Sequence, residues 1–372
     1  MRIALINSGI GLLAAAAELH RLRPDADLVL AMDPDGMPWG PRTPGDITQR
    51  SLACARAAAV FVPDVLVFAC NTGTVHALPA LRAEFEPALP VVGTVPAIKP
   101  AAAFCDSVAI WATVATTASS YQRRLIDDFA GSARVTPVPC PGLADAVDAG
   151  DEAAIEAAVA GAAARTPADC GAVVLGCTEY ELAADLIAAA LPGVTLFRSA
   201  PAVAAQALRR AVAAGADARS ATLLDTGATA GPDTPANTGP ETQADAGADT
   251  RPNTRVGAGA AARSRTGSVH VLLSGRQADL PQAALRYAEG RLLAGLVADR
   301  PADGLPSDGL PGDDLPVDGL PGADFPADGR ADDDFRGDDF AGEGRPAPDL
   351  PADGARAGRG AERPVPPSSV PA

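Results

Sequence analysis

The order of apolar runs predicts an α/β protein whose strands lie in mainly parallel sheets. Up to residue 213, eight short runs of Val, Ile, Leu and Ala alternate with Ala/Leu-rich amphipathic stretches, the pattern of strand and helix units packed in layers. Two of the runs end in the same grammar of strand, cysteine, polar residue and helix. Such duplication suggests two related half-molecules whose strand edges face each other across a cleft.

The strands are expected at Ile3 to Ile6, Leu28 to Ala31, Val65 to Ala69, Val91 to Gly93, Val108 to Trp111, Val135 to Val138, Ala172 to Leu175 and Val194 to Phe197. Amphipathic spacing places helices over 11–22, 44–61, 75–86, 119–129, 152–165, 179–191 and 200–213. Apolar residues make up 47% of the 372 and aromatics only 4%. A large core is therefore affordable, and it must be built from aliphatic side chains.

From about 214 to 266 the chain turns into Ala, Asp, Thr, Gly and Pro, which cannot bury enough apolar surface to offset ordering entropy and reads as a disordered insertion. Pattern then returns, with a strand expected at Val269 to Leu273 and a helix from Pro281 to Leu293 docking back on the first half. Beyond about 296, imperfect Asp-Gly-Leu-Pro repeats appear, and residues 302–354 carry 15 acidic against 3 basic side chains. Proline and glycine every few residues exclude helix there, and self-repulsion extends the chain, so a solvating tail is expected.

The formal charge of −16 argues against nucleic acid and anionic membranes as partners. Its distribution matters: residues 1–213 hold 21 acidic and 15 basic side chains, a net of −6, so most of the excess lies outside the patterned region. No apolar stretch is long enough to span a bilayer, and the N-terminus enters a strand directly, which reads as a cytoplasmic protein. Lys99 is the sole lysine and no phosphate-binding GxxxxGK occurs, so neither a pyridoxal site nor a nucleotide loop is indicated. The six cysteines lack CxxC spacing, which leaves no expected metal site and no disulfide framework; most are expected to be buried thiols.

Cys70 and Cys177 stand apart. Val65-Leu66-Val67-Phe68-Ala69 leads into Cys70-Asn71-Thr72, and Ala172-Val173-Val174-Leu175-Gly176 leads into Cys177-Thr178-Glu179. Both sit where ligands bind in parallel α/β sheets, at the carboxyl edge of a strand. A thiol there faces the positive end of the following helix, which favours thiolate. Inverting an α-carbon needs a base on one face and an acid on the other, and two thiols on opposite walls supply both. Polar loops at other strand ends surround the pair: Asn7-Ser8-Gly9 after the first strand, Pro38-Trp39-Gly40 after the second, and Thr113, Thr116 and Thr117 after the fifth. Gly9 and Gly11 are expected to let backbone amides approach a carboxylate.

At Asn7-Ser8-Gly9-Ile10-Gly11, Pro38-Trp39-Gly40-Pro41, Ala69-Cys70-Asn71-Thr72, Tyr121-Gln122, Cys140-Pro141 and Gly176-Cys177-Thr178-Glu179-Tyr180 the chain resembles the glutamate racemase family. The resemblance covers about residues 1–213 and 267–295. It implies two pseudo-symmetric Rossmann-like domains with the active-site cleft between them: 1–95, completed by 198–213 and 267–295, and 96–197. It further implies cofactor-independent interconversion of L- and D-glutamate, supplying D-glutamate for peptidoglycan. A small amino acid is the expected partner, and a homodimer is compatible with this reading. By likeness, Cys70 and Cys177 are the acid/base thiols, and Asn7, Ser8, Trp39, Gly40, Asn71, Thr72, Thr178 and Glu179 stand where the family contacts substrate; the hydroxyls of Thr113 and Thr116 are added as suited to a small zwitterion.

The chain departs from the family pattern at four places. Asn7 stands for Asp, Glu179 for His, Trp39 for Tyr, and Asp148 falls where an auxiliary Glu is usual. Replacing Asp by Asn7 removes a charge beside the first thiol, whereas Glu179 in place of His disfavours thiolate at the second. Assistance is thus expected to shift from one wall to the other. The Cys-Thr-Glu triplet also resembles aspartate racemases, so a related two-thiol enzyme acting on aspartate or another small carboxylate is the second reading. A ligand-binding homologue without catalysis is the third.

Overall fold

In the computed structural model the described residues are 1–215 and 266–298, so the expected insertion and acidic tail lie, apart from their edges, outside them. The first half runs β1 (Arg2–Asn7), α1 (Leu13–Leu22), β2 (Asp27–Met32), α2 (Pro44–Ala59), β3 (Val65–Phe68), α3 (Asn71–Phe85) and β4 (Val91–Gly93). The second runs α4 (Ile98–Phe104), β5 (Ser107–Ala112), α5 (Val114–Ala118), α6 (Ser120–Phe129), β6 (Arg134–Pro139), α7 (Leu143–Ala149), α8 (Glu152–Arg165) and β7 (Ala172–Leu175). A 3-10 turn (Thr178–Ala183), α9 (Ala184–Ala190), β8 (Thr195–Phe197) and α10 (Ala200–Ala213) follow. After residue 265 come β9 (Val269–Leu273), β10 (Arg276–Gln277), a 3-10 turn (Gln282–Arg286) and α11 (Ala288–Ala294).

These strands form two sheets, in the orders β10-β9-β2-β1-β3-β4 and β6-β5-β7-β8. Every pairing is parallel except β9 with β10. The segment β2-β1-β3-β4 repeats as β6-β5-β7-β8, so β1 corresponds to β5 and β3 to β7. In each half the chain leaves the central strand to one side and returns on the other. The loops at the carboxyl ends part at that point and open a crevice. The two pseudo-symmetric α/β halves and their mainly parallel sheets are therefore as the sequence predicts.

Strand alternation divides the core. Ile3, Leu5, Leu28, Leu30, Val65 and Val67 share one buried cluster with Ala109, Trp111, Val173 and Leu175, which joins one face of each sheet. The opposite face of the first sheet, Ala4, Ile6, Val29, Leu66 and Phe68, packs with Ile47, Cys54, Ala77 and Leu81 of α2 and α3. Val108, Ile110 and Val174 do likewise with Ile98, Ala101 and Leu125 of α4 and α6. Every side chain of β1, β2 and β3 beyond Arg2 is buried, as helices on both faces require.

Six elements differ from expectation. Helices α4, α5 and α7 have only seven, five and seven residues, too short for a periodic signature to stand out. Helix α3 starts at Asn71 instead of 75 because Cys70 itself caps it. The expected helix over 281–293 is broken at Tyr287, whose backbone is extended (φ −97°, ψ 150°) between the 3-10 turn and α11. Likewise 179–191 is a 3-10 turn followed by α9.

Candidate active site

A cleft of about 420 Å³ opens at the facing strand ends. Ser8 reaches it from the end of β1, Pro38 to Pro41 from the loop after β2, and Cys70, Asn71 and Thr72 from β3 and α3. From the second half come Thr113 to Ala115 after β5, Cys140 to Gly142, Ala144, Asp145 and Asp148 after β6, and Cys177 and Glu179 after β7. Corresponding strands thus contribute to opposite walls, and the two cysteines hold equivalent places.

Cys70 is the N-cap of α3, and its Sγ accepts from the Gly73 amide at 3.3 Å. Gly73 lets the helix start sit against Phe68, since a Cβ there would come within 2.2 Å of the Phe68 ring. Burial pushes the Cys70 thiol up to about 12, with the Glu179 charge adding to it and the amides of Gly73 and Thr72 opposing it. Cys177 begins the 3-10 turn, and its Sγ donates to Glu179 Oε2 at 2.8 Å. Its pKa is raised well above the thiol range by burial first and then by the Glu179 charge. Cys70 also contributes to that rise, which places the two sulfurs within each other's field. The helix-end effect expected to favour thiolate is therefore outweighed at both cysteines by burial and a carboxylate.

Asn71 ties the walls together, its Nδ2 donating to the Gly176 carbonyl at 2.7 Å across the gap from β3 to β7. Its Oδ1 is buried and accepts no hydrogen bond from the described residues. Asn7, expected to touch substrate and to act on the first thiol, bonds to Glu179, the carboxylate that accepts from the second thiol. It is fully buried, does not line the cleft, and donates to Glu179 Oε1 at 3.2 Å and Thr178 Oγ1 at 3.4 Å, while its Oδ1 accepts from the Ser8 amide at 2.7 Å. Through Glu179 it bears on both thiols, on the second by direct contact and on the first by charge. Gly11 makes this cluster possible: a Cβ there would lie 2.5 Å from Glu179 Oε1, 2.6 Å from Thr178 Oγ1 and 2.7 Å from Asn7 Nδ2.

Thr178 and Thr116 also stand behind the cleft lining. Thr116 is used locally, its amide and hydroxyl both bonded to the Thr113 hydroxyl that caps α5. Trp39 lines the cleft with only 1% of its surface exposed, because its Nε1 donates to buried Asp33 Oδ2 at 3.0 Å and its ring meets Phe68 edge-on at 6.1 Å. Asp33 also accepts from the Gly36 amide and pairs with Arg50 at 3.4 Å, so one carboxylate shapes the whole loop carrying Trp39 and Gly40.

The turn after β1 was expected to offer amides to an incoming carboxylate. The carboxylate that arrives is the protein's own: Asp148 Oδ1 accepts from the Ile10 amide at 2.9 Å. Burial, then the Glu179 charge, raise Asp148 well above the usual carboxylate range. Among the described residues three acidic ones, Asp145, Asp148 and Glu179, line the cleft, and no Lys, Arg or His does. Asp145 was missed by the sequence reading and Cys140 was noted only within a motif, although both follow β6 as the Trp39 loop follows β2, and the repeat itself would have flagged them as site residues. Among the described residues no group of three or more His, Cys, Asp or Glu could hold a metal ion, and no helix is long and apolar enough to cross a membrane.

This arrangement belongs to a known class. Residues 6–207 match the family described as Asp/Glu/hydantoin racemase, and the chain belongs to that family. Among its relatives, glutamate racemase of Pseudomonas putida strain W619 is 36% identical over 220 residues, spanning 57% of this chain and 82% of the relative. Glutamate racemase of Herpetosiphon aurantiacus is 35% identical over 218 residues, 57% of this chain and 85% of that one. Among solved structures, Escherichia coli glutamate racemase in complex with L-glutamate and an activator is similar at TM-score 0.54 and 30% identity, covering 57% of this chain and 82% of that one.

Proposed function

We propose that this chain interconverts L- and D-glutamate, Cys70 and Cys177 taking the α-proton from one face and returning a proton to the other. The observation that carries the reading is their matched placement: each stands at the N-cap position of the helical turn after the corresponding strand of two repeated halves, and both line one cleft. The Escherichia coli relative binds L-glutamate, which supports the same ligand here. Supply of D-glutamate for peptidoglycan is the role that follows.

In the resting enzyme both thiols hold their protons, because burial and Glu179 raise them. Glu179 Oε2 already accepts from Cys177 Sγ, so transfer of that proton to the carboxylate produces a thiolate without further movement. The Cys177 thiolate then takes the α-hydrogen as a proton, leaving its electron pair on the α-carbon. That carbanion takes the proton of Cys70, and inversion is complete. Proton return from Glu179 to Cys70 through solvent resets the site. The substrate ammonium helps, since a cation in a cleft lined by three acids favours both its own binding and thiolate formation. The buried Asn71 Oδ1 is a ready acceptor for it.

The test is solvent exchange. Incubation with L-glutamate in D₂O should replace the α-hydrogen by deuterium while D-glutamate accumulates, followed by NMR and chiral chromatography. L-aspartate run alongside separates the two acidic substrates. Absence of exchange with both, beyond a control in which Cys70 and Cys177 are both changed to Ser, would remove the amino-acid racemase reading.

A further inference from the structure

We propose that Tyr287 is a positioning residue for Asp148, the hydroxyl by which the segment after residue 265 straps helix α7 against the first half of the molecule. The proposal rests on the cleft assigned above. Helix α7 lies in the second half by sequence, yet its last turn is held from two sides by the first. On one side Asp148 Oδ1 accepts from Ile10, and the approach is so close that a Cβ at Gly9 would lie 2.2 Å from that oxygen. On the other, the Tyr287 hydroxyl donates to the carbonyl of Val147, the residue immediately before Asp148, at 2.7 Å.

A second feature of the same contact is independent of the hydroxyl. Gly150 ends α7 in the left-handed region at φ +65°, and a Cβ there would lie 3.1 Å from Arg286 Cγ and 3.4 Å from Ala283 Cα. The left-handed turn is what favours glycine there, and it brings the end of α7 into van der Waals contact with the strap. Arg286 also pairs with Glu152 at 3.8 Å, on exposed side chains that add little. The strap itself is anchored in the first sheet, where β9 pairs with β2 and the Val269 amide donates to the Leu296 carbonyl. The break in the helix at Tyr287 turns its side chain to α7, which gives the interruption a purpose.

Asp148 faces the Ile10 amide from the turn after β1, Glu179 from the 3-10 turn, Asp145 on its own helix, Cys70 from α3 and the Tyr287 hydroxyl. Burial and Glu179 raise it, and the Ile10 amide lowers it. Release of α7 admits water and moves the carboxyl from Glu179, and these larger influences act in the same downward direction. Asp148 then loses its proton more readily and its place beside the thiols.

Carboxyl-labelled aspartate NMR on the full chain reads this without substrate. In Tyr287→Phe, which keeps the ring, the Asp148 midpoint should fall by about one unit, a tenfold loss of proton affinity. Gly150→Ala, which strains the left-handed turn by which α7 meets the strap, should move it in the same direction. Exchange with L-glutamate should fall about 10- to 100-fold in both, with the pH profile displaced by the same amount. An Asp148 midpoint unchanged from wild type in whichever variants fold would overturn the proposal, even if stability dropped. If the wild type exchanges no amino acid, the racemase reading fails while the titration still decides the strap.

Discussion

Cys177 donates its thiol hydrogen to one oxygen of Glu179 at 2.8 Å, and Asn7 holds the other oxygen at 3.2 Å. The carboxylate is therefore both an acceptor placed for the thiol and the charge that keeps both sulfurs protonated. Removing it as Glu179→Gln separates the roles. The thiol pKa values, raised in part by this charge, should fall, so the limb of exchange that rises with pH should begin at a lower pH. Near neutrality the missing acceptor should cost about 10²- to 10⁴-fold. A pH profile of deuterium exchange measures both, and an unmoved limb would show that Glu179 does not govern the thiols.

Asn7 and Glu179 behave as a pair. Asn7→Asp puts a second carboxylate where Nδ2 now donates at 3.2 Å, so one of the two acids must stay protonated. Activity should fall in the single variant and recover when Glu179→His is added. The coupling between the substitutions should be about 1–3 kcal/mol in transition-state stabilisation. Additive kinetics would show two independent positions.

Gly11→Ala tests the packing behind that pair. Its new Cβ would meet Glu179, Thr178 and Asn7 at 2.5 to 2.7 Å. Displacement of the cluster by a few tenths of an ångström should reduce kcat by up to about 10²-fold, and KM should move much less. Wild-type kcat would show that Glu179 does not need its present position.

Trp39→Phe deletes the indole donor to Asp33, a carboxylate with no exposed surface. Loss of that bond should cost about 1–3 kcal/mol in urea unfolding, and the loosened wall should raise KM. A stability equal to wild type would mean the Gly36 amide and Arg50 suffice for Asp33.

Cys70→Ser and Cys177→Ser should each end racemisation. One enantiomer should still exchange its α-hydrogen in each variant, a different one in the two cases, because a single wall remains. NMR in D₂O with separate L- and D-glutamate detects this. Undiminished turnover in either variant would refute opposed thiols.

The sheet strands were legible because helices cover both faces, so β1, β2 and β3 read as unbroken apolar runs. The cysteines were legible because each interrupts such a run at its end. The bond from Asn7 to Glu179 was not legible because adjacency to β1 says nothing about which strand end across the cleft its amide will meet; Gly11 decides that by leaving room for Glu179. The proximity of Asp148 to Ile10 likewise depends on how α7 packs, a contact 138 residues apart in sequence. The break at Tyr287 was invisible because the apolar spacing on either side of it continues a helical period, and only the hydroxyl's reach to Val147 explains the interruption.

The pairing of β2 with β9 has a consequence for synthesis. Strand β2 ends at Met32 and its neighbour begins at Val269, so a chain emerging from the ribosome displays one bare flank of its first sheet until more than two hundred further residues have been added. An unpaired flank invites pairing with other chains. Nascent molecules should therefore be most prone to association during that interval, and a truncation ending before Val269 should aggregate even though both cysteines are already in place.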